Sequence, residues 1–149
     1  MSKFDEAMAL LSECAKEGTR ISSPATVFPL LRTWIAKKEE HFIVLYLNGQ
    51  HVMQGKPVSV FKGTLNRTIV HPREIFAIAL RKHSCAIIVA HNHPSGDSSP
   101  SPEDLDVTKK LIESGAILGI PVLDHLVITK SGYYSMCEHG IIDFSGRSE

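Results

Sequence analysis

The sequence predicts an α/β domain with helices on both faces of a single mixed sheet. Segments with apolar residues at helical spacing alternate along the chain with short strand-like runs. Two of those runs, Phe42 to Leu47 and Cys85 to Ala90, are almost wholly apolar, as expected of strands covered on both sides. Asn48-Gly49 directly follows the first run, and this pair favours a tight hairpin into an antiparallel neighbour.

In chain order, Phe4, Ala7, Leu11 and Cys14 repeat at helical spacing, with Gly18 as a stop. Ser23-Pro24 is a cap and first-turn proline, and Val27, Leu30, Leu31, Trp34 and Ile35 form the stripe of a second helix. Residues 1–38 thus read as a two-helix lead-in. The strand Phe42 to Leu47 turns at Asn48-Gly49 into a second strand over residues 51–60, and a short strand is predicted through Arg67 to Val70. His71-Pro72-Arg73-Glu74 opens a helix carrying Ile75, Phe76, Ala79 and Leu80. After the strand Cys85 to Ala90, Ser101-Pro102 opens another helix with Leu105, Thr108, Leu111 and Ile112 on one side. Strands follow at Val122 to Thr129 and Tyr133 to Met136, split by Lys130-Ser131-Gly132, with Ile141 to Phe144 a final extended piece.

The 149 residues suit one domain, and 43% hydrophobic with 21% charged is ordinary globular usage. Sixteen basic against sixteen acidic residues argue against broad attraction to nucleic acid or an anionic membrane surface. No apolar run is long enough to span a bilayer, and residues 1–20 carry acids rather than a basic then apolar leader, so a cytoplasmic location is expected. Cys14, Cys85 and Cys137 are odd in number and form no CxxC pair, which makes each a candidate small core residue.

The chemistry concentrates in Ala90-His91-Asn92-His93-Pro94-Ser95-Gly96-Asp97, followed by Ser101 and Asp104. Alternate strand residues point to one face, so the imidazoles of His91 and His93 can reach one metal. Asp104 offers a carboxylate in the first turn of the Ser101 helix, although spacing alone leaves Asp97, Glu103 and Asp106 as rivals. Ser101 and Asp104 also form a capping-box pattern, and the two roles are compatible. Two neutral histidines and one carboxylate leave zinc with net positive charge and an open position where water can ionise. Glu39 and Glu40, just before the first buried strand, are candidate general bases, or else part of a solvated charged run with Lys37 and Lys38.

These residues resemble the RadC-like branch of the JAMM (MPN-plus) metalloprotease superfamily. The likeness rests on V-H-P-R-E, A-H-N-H-P-S-G-D, P-S-P-E-D and L-D-H-L-V-I, and runs from about Glu40 to Gly140. The superfamily signature is a distant glutamate, then H-x-H, seven residues, Ser, two residues and Asp, and His91, His93, Ser101 and Asp104 fit it without a gap. The resemblance implies a JAB/MPN sandwich of the cytidine-deaminase-like type and one Zn2+ held by His91, His93 and Asp104. It also implies Glu40 as catalytic base, with Ser101 helping to hold a tetrahedral intermediate. The implied reaction is hydrolysis of an amide or isopeptide bond in a peptide or protein, with a homodimer possible. Asp124 and His125 match the family string, but nothing in that chemistry demands them.

Longer members of that branch carry an amino-terminal helix-hairpin-helix region linked with DNA binding. About forty residues precede Glu40 here, room for the two helices already read, so the expectation is one domain without that region. A DNA-associated or protein-binding module without efficient catalysis is the alternative reading. A zinc deaminase would need H-x-E and P-C-x-x-C, and neither occurs. A non-haem iron oxygenase shares the ligand types but normally sits on an all-β barrel.

Overall fold

The computed structural model describes residues 3, 18–63 and 70–146. Five strands form the sheet: β1 (His41–Leu47), β2 (Val58–Lys62), β3 (Ala86–Asn92), β4 (Val122–Thr129) and β5 (Gly132–Ser135). Short helices α1 (Pro24–Val27) and α2 (Arg32–Ile35) precede it, with α3 (Pro72–Arg81) and α4 (Pro102–Leu118) between strands. The strand order is β2-β1-β3-β4-β5. The β3 and β4 pair is parallel, joined through α4, and the other pairs are antiparallel. The sheet is therefore mixed, with β3 at its centre.

Alternation along the strands divides the core in two. Phe42, Val44, Tyr46, Ile87 and Val89 face Ile75, Phe76 and Ala79 of α3 and Val107, Leu111 and Ile112 of α4. The opposite side chains, Ile43, Leu45, Leu47, Ile88 and Ala90, pack on Val27, Leu30, Leu31 and Met53. Both sides of β1 and β3 are buried, which explains why these two strands carry so little alternation in sequence. Each fully buried Leu or Ile contributes about 2 kcal/mol of transfer free energy, so the sheet's centre is its most strongly held part. Tyr46 Oη donates to the Ile75 carbonyl at 2.9 Å and pins α3 to β1.

Several expectations change. The helix read over Ser23 to Ile35 is broken: Phe28–Leu31 is a 3-10 turn between α1 and α2. Pro29 lies inside that turn, where it lacks a donor and its ring would crowd a continuous α-helix. The hairpin after Asn48 is longer than two residues. The Asn48 carboxamide oxygen accepts from the backbone N–H groups of Gln50 and Val52, and the chain makes only a bridge from Leu47 to Met53. Gly55 then adopts φ 73° and Pro57 follows, so the strand read over residues 51–60 begins at Val58, opposite Val44. The stretch Ile141 to Phe144 is turn and bend rather than strand, with Ile142 and Phe144 packed against the α3/α4 core. Cys85 and Cys137 are exposed, not core residues. The helix read through Phe4 and Cys14 and most of the strand read at Arg67 to Val70 lie outside the described residues. Among the described residues no helix is long and apolar enough to cross a membrane.

Candidate metal centre

Strand β3 ends at Asn92, and its carboxyl end delivers the two histidines. His91 is fully buried on the α4 side, and His93 follows one step past the strand, its backbone N–H donating to the Ile128 carbonyl of β4 at 3.0 Å. The Nε2 atoms of His91 and His93 lie 2.8 Å apart. Helix α4 supplies the third group: Asp104 Oδ2 is 3.2 Å from His91 Nε2 and 3.5 Å from His93 Nε2. His91, His93 and Asp104 each present one ligand atom, mutually within 4.8 Å, and the trio can hold a metal ion. Asp97 and Glu103 are not among its ligand atoms.

Asp104 serves two purposes. Ser101 caps α4, its hydroxyl accepting from the Asp104 N–H at 3.1 Å, and Asp104 Oδ2 accepts from the Ser101 N–H at 2.8 Å. The carboxylate stands at a positively polarised helix end. Burial alone would push its pKa up, but the hydrogen bonds that His91 and then His93 donate when Nε2 carries a hydrogen outweigh that and hold the carboxyl well below its ordinary range, and a metal ion would take the place of those hydrogens. Hydrogen bonding to Asp104 in turn raises the His93 pKa against partial burial.

The donor set suits a cation. His93 Nδ1 lies 2.7 Å from the Asp97 carbonyl, which can only accept, so Nδ1 carries the hydrogen of the neutral ring and Nε2 then presents a lone pair. Two imidazole nitrogens 2.8 Å apart beside an ionised carboxylate repel unless positive charge lies among them. A divalent ion meets that need, and an N, N, O set matches metals that accept imidazole and carboxylate.

Glu40 immediately precedes β1. Phe42 pairs with His91, so alternation puts Glu40 on the face of the histidines, and its charge is felt at the His93 ring. Glu39 points elsewhere, 3.6 Å from Lys62 in an exposed ion pair. Asn92 holds this corner together: its Oδ1 accepts from the His41 N–H at 2.6 Å and its Nδ2 donates to the Glu39 carbonyl at 2.9 Å. Beside His93 a cavity of about 420 Å³ opens, lined by Ile35, Lys37, Lys38, Pro94, Ser95 and Lys130 among others.

Behind this trio lies a buried chain of polar groups. His91 Nδ1 is 2.6 Å from His125 Nε2, His125 Nδ1 is 2.5 Å from Thr108 Oγ1, and the Thr108 hydroxyl is 2.6 Å from the Asp104 carbonyl. His91, His125 and Thr108 are all fully buried. Burial and then the nearby His91 hold the His125 pKa well below its usual value, so its ring is neutral. A bulge aims it. Between the pairs Ile87↔Val122 and Val89↔His125, β4 advances one residue more than β3, which brings His125 onto the His91 side of the sheet.

The Asp124 carboxylate stabilises that bulge. Its Oδ1 accepts from the N–H groups of His125 at 2.7 Å and Cys137 at 3.0 Å, and its Oδ2 accepts from the Ser135 hydroxyl at 2.5 Å. Burial raises its pKa against these donors. Asp124→Ala leaves at least two backbone donors without an acceptor, and a loss of about 2–4 kcal/mol is expected in urea unfolding. Thr108 appears in the sequence as one more residue of a helix stripe. Its only signals are a hydroxyl among apolar neighbours and its place one turn after Asp104. Asn92, between the histidines, carries no local signal at all.

A mostly buried two-histidine, one-carboxylate cluster at the carboxyl rim of a mixed sheet marks an α/β domain with a site that could hold a metal ion. The chain belongs to the RadC-like JAB domain family, whose profile matches residues 21–141. It is 45% identical over 128 residues to UPF0758 protein SH1266 of Staphylococcus haemolyticus, a match covering 85% of this chain and 56% of the relative. It is 49% identical over 125 residues to UPF0758 protein SAB1521c of Staphylococcus aureus, covering 83% and 54% respectively. The chain spans about half the length of these relatives, whose names state no activity.

Proposed function

We propose that this domain is a zinc-dependent hydrolase of amide bonds in peptides or proteins. The observation that carries this reading is the convergence of His91 Nε2, His93 Nε2 and Asp104 Oδ2 beside an open cavity, with Glu40 on the same face. When bound, zinc supplies Lewis acidity toward a carbonyl and lowers the pKa of water. The Glu40 carboxylate takes the proton of the attacking water and returns it to the departing amine nitrogen. Such general base work contributes about 10²–10⁴ in rate. The Ser101 hydroxyl donates toward the carbonyl oxygen as negative charge develops there, and one such donor is worth about 3 kcal/mol.

The cavity beside His93 is the natural seat for the substrate. Lys37, Lys38 and Lys130 line it together with Ile35, Ala36 and Pro94. That lining suits a polypeptide with acidic residues near the scissile bond, and kcat/KM for such a substrate should fall as ionic strength rises. The test exposes zinc-loaded protein to a peptide library read by mass spectrometry. Wild type should cleave, and Glu40→Gln should keep its zinc while losing at least about a hundredfold in rate. A zinc-loaded wild type that cleaves no peptide but shifts a DNA probe in a salt-dependent way would replace the hydrolase reading with a binding one.

A further inference from the structure

We infer that Thr108 and His125 are positioning residues that fix which nitrogen of His91 carries its hydrogen, so that Nε2 is presented to the metal as a bare lone pair. The inference rests on the metal-centre reading above and extends it to residues that touch no metal.

The direction of the buried chain follows from its far end. A backbone carbonyl can only accept, so the Thr108 hydroxyl, 2.6 Å from the Asp104 carbonyl, donates there. Its single hydrogen is then committed, because Met136 Sδ at 3.7 Å is a much weaker acceptor. Thr108 Oγ1 can therefore only accept from His125, which must carry its hydrogen on Nδ1. That leaves His125 Nε2 bare, and His91 Nδ1, 2.6 Å away, must be the donor in that bond. The hydrogen of a neutral His91 thus sits on Nδ1, and Nε2 faces His93 and Asp104 unprotonated.

The reverse pattern fails on geometry. If Thr108 donated to His125, two oxygens would stand 2.6 Å apart with no hydrogen between them. His91 would then carry its hydrogen on Nε2, directed at the ligand position and blocking it. The three residues of the chain are fully buried, so water has no room to stand in for a missing partner. Partners of this kind, behind a ligand histidine, typically change metal affinity by about 10–100-fold.

Because His125→Ala removes a core side chain and risks unfolding, the decisive pair is Thr108→Val and Thr108→Ser. Valine keeps the shape and deletes the hydroxyl, whereas serine keeps the hydroxyl. Zinc affinity is read by competition with a chromogenic chelator, and folding by the circular dichroism of each zinc-free protein. Thr108→Val should bind zinc about 10–100-fold more weakly, while Thr108→Ser stays within about threefold of wild type. Independently of any metal, long-range 15N–1H spectra of zinc-free protein at alkaline pH report the tautomer of each histidine. Wild type and Thr108→Ser should show His91 protonated on Nδ1, and Thr108→Val a shift toward Nε2. A valine variant with wild-type zinc affinity and unchanged His91 nitrogen shifts would overturn the assignment. If wild type bound no zinc yet showed His91 protonated on Nδ1, the assignment would stand and the metal reading would fall.

Discussion

Asp104→Ala should yield a folded protein that retains almost no zinc, and the loss should appear twice, at different sizes, in its unfolding. Without metal, the variant loses the side chain that accepts the Ser101 N–H, closing half of the α4 capping box. It also loses the carboxylate beside His91 and His93. Deleting a helix-start interaction of this kind costs about 1 kcal/mol. With zinc at about a thousand times its dissociation constant, the wild type gains roughly 4 kcal/mol more by mass action, and the variant gains almost none of it. The gap between the two proteins should therefore be small in chelator and several times larger in zinc. Thermal melts of both in the two buffers measure it, alongside metal content by elemental analysis. Equal gaps in the two conditions would mean that Asp104 only caps a helix.

Gly115→Ala should be the most damaging substitution away from the centre. A methyl at this position would lie 2.3 Å from the Ile120 carbonyl oxygen and 3.3 Å from Phe76 Cζ. The obstacle is backbone. The Ile120 N–H donates to the Gly115 carbonyl at 2.8 Å, and Gly119, at φ 73°, turns the chain from α4 toward β4. Relief would require moving that turn, and with it the strand that carries Asp124 and His125. Overpacking of this severity costs about 3 kcal/mol, a fall in Tm of roughly 6–12 °C for a domain of this size. Gly119→Ala is the informative control. Its new methyl meets nothing within 4 Å, so only the left-handed backbone is penalised, by about 1–2 kcal/mol.

Much of this fold was readable because its strongest determinants are local. Strand β4 runs from Val122 to Thr129 as the sequence predicts, and α4 starts at the Ser101 cap followed by Pro102. The grouping of the three residues that could hold a metal ion was legible for the same reason: strand alternation brings His91 and His93 to one side, and the helix start positions Asp104. What escaped depends on distant partners. The stripe from Val27 to Ile35 reads as one helix because its burial pattern survives the break that Pro29 introduces. The bulge at Leu123 and Asp124 exists only relative to β3, so no reading of β4 alone can find it. Thr108 and Asn92 acquire their roles from atoms 17 and 51 positions away in sequence, His125 and His41.

Asn92 carries the last consequence. Its carboxamide bonds to the His41 N–H and the Glu39 carbonyl, and so ties the end of the central strand to the segment that bears Glu40. The placement of Glu40 relative to the cluster is thus inherited from the pairing of β1 with β3. Such an arrangement is set before anything enters the neighbouring cavity, because backbone pairing between the strand ends already holds it.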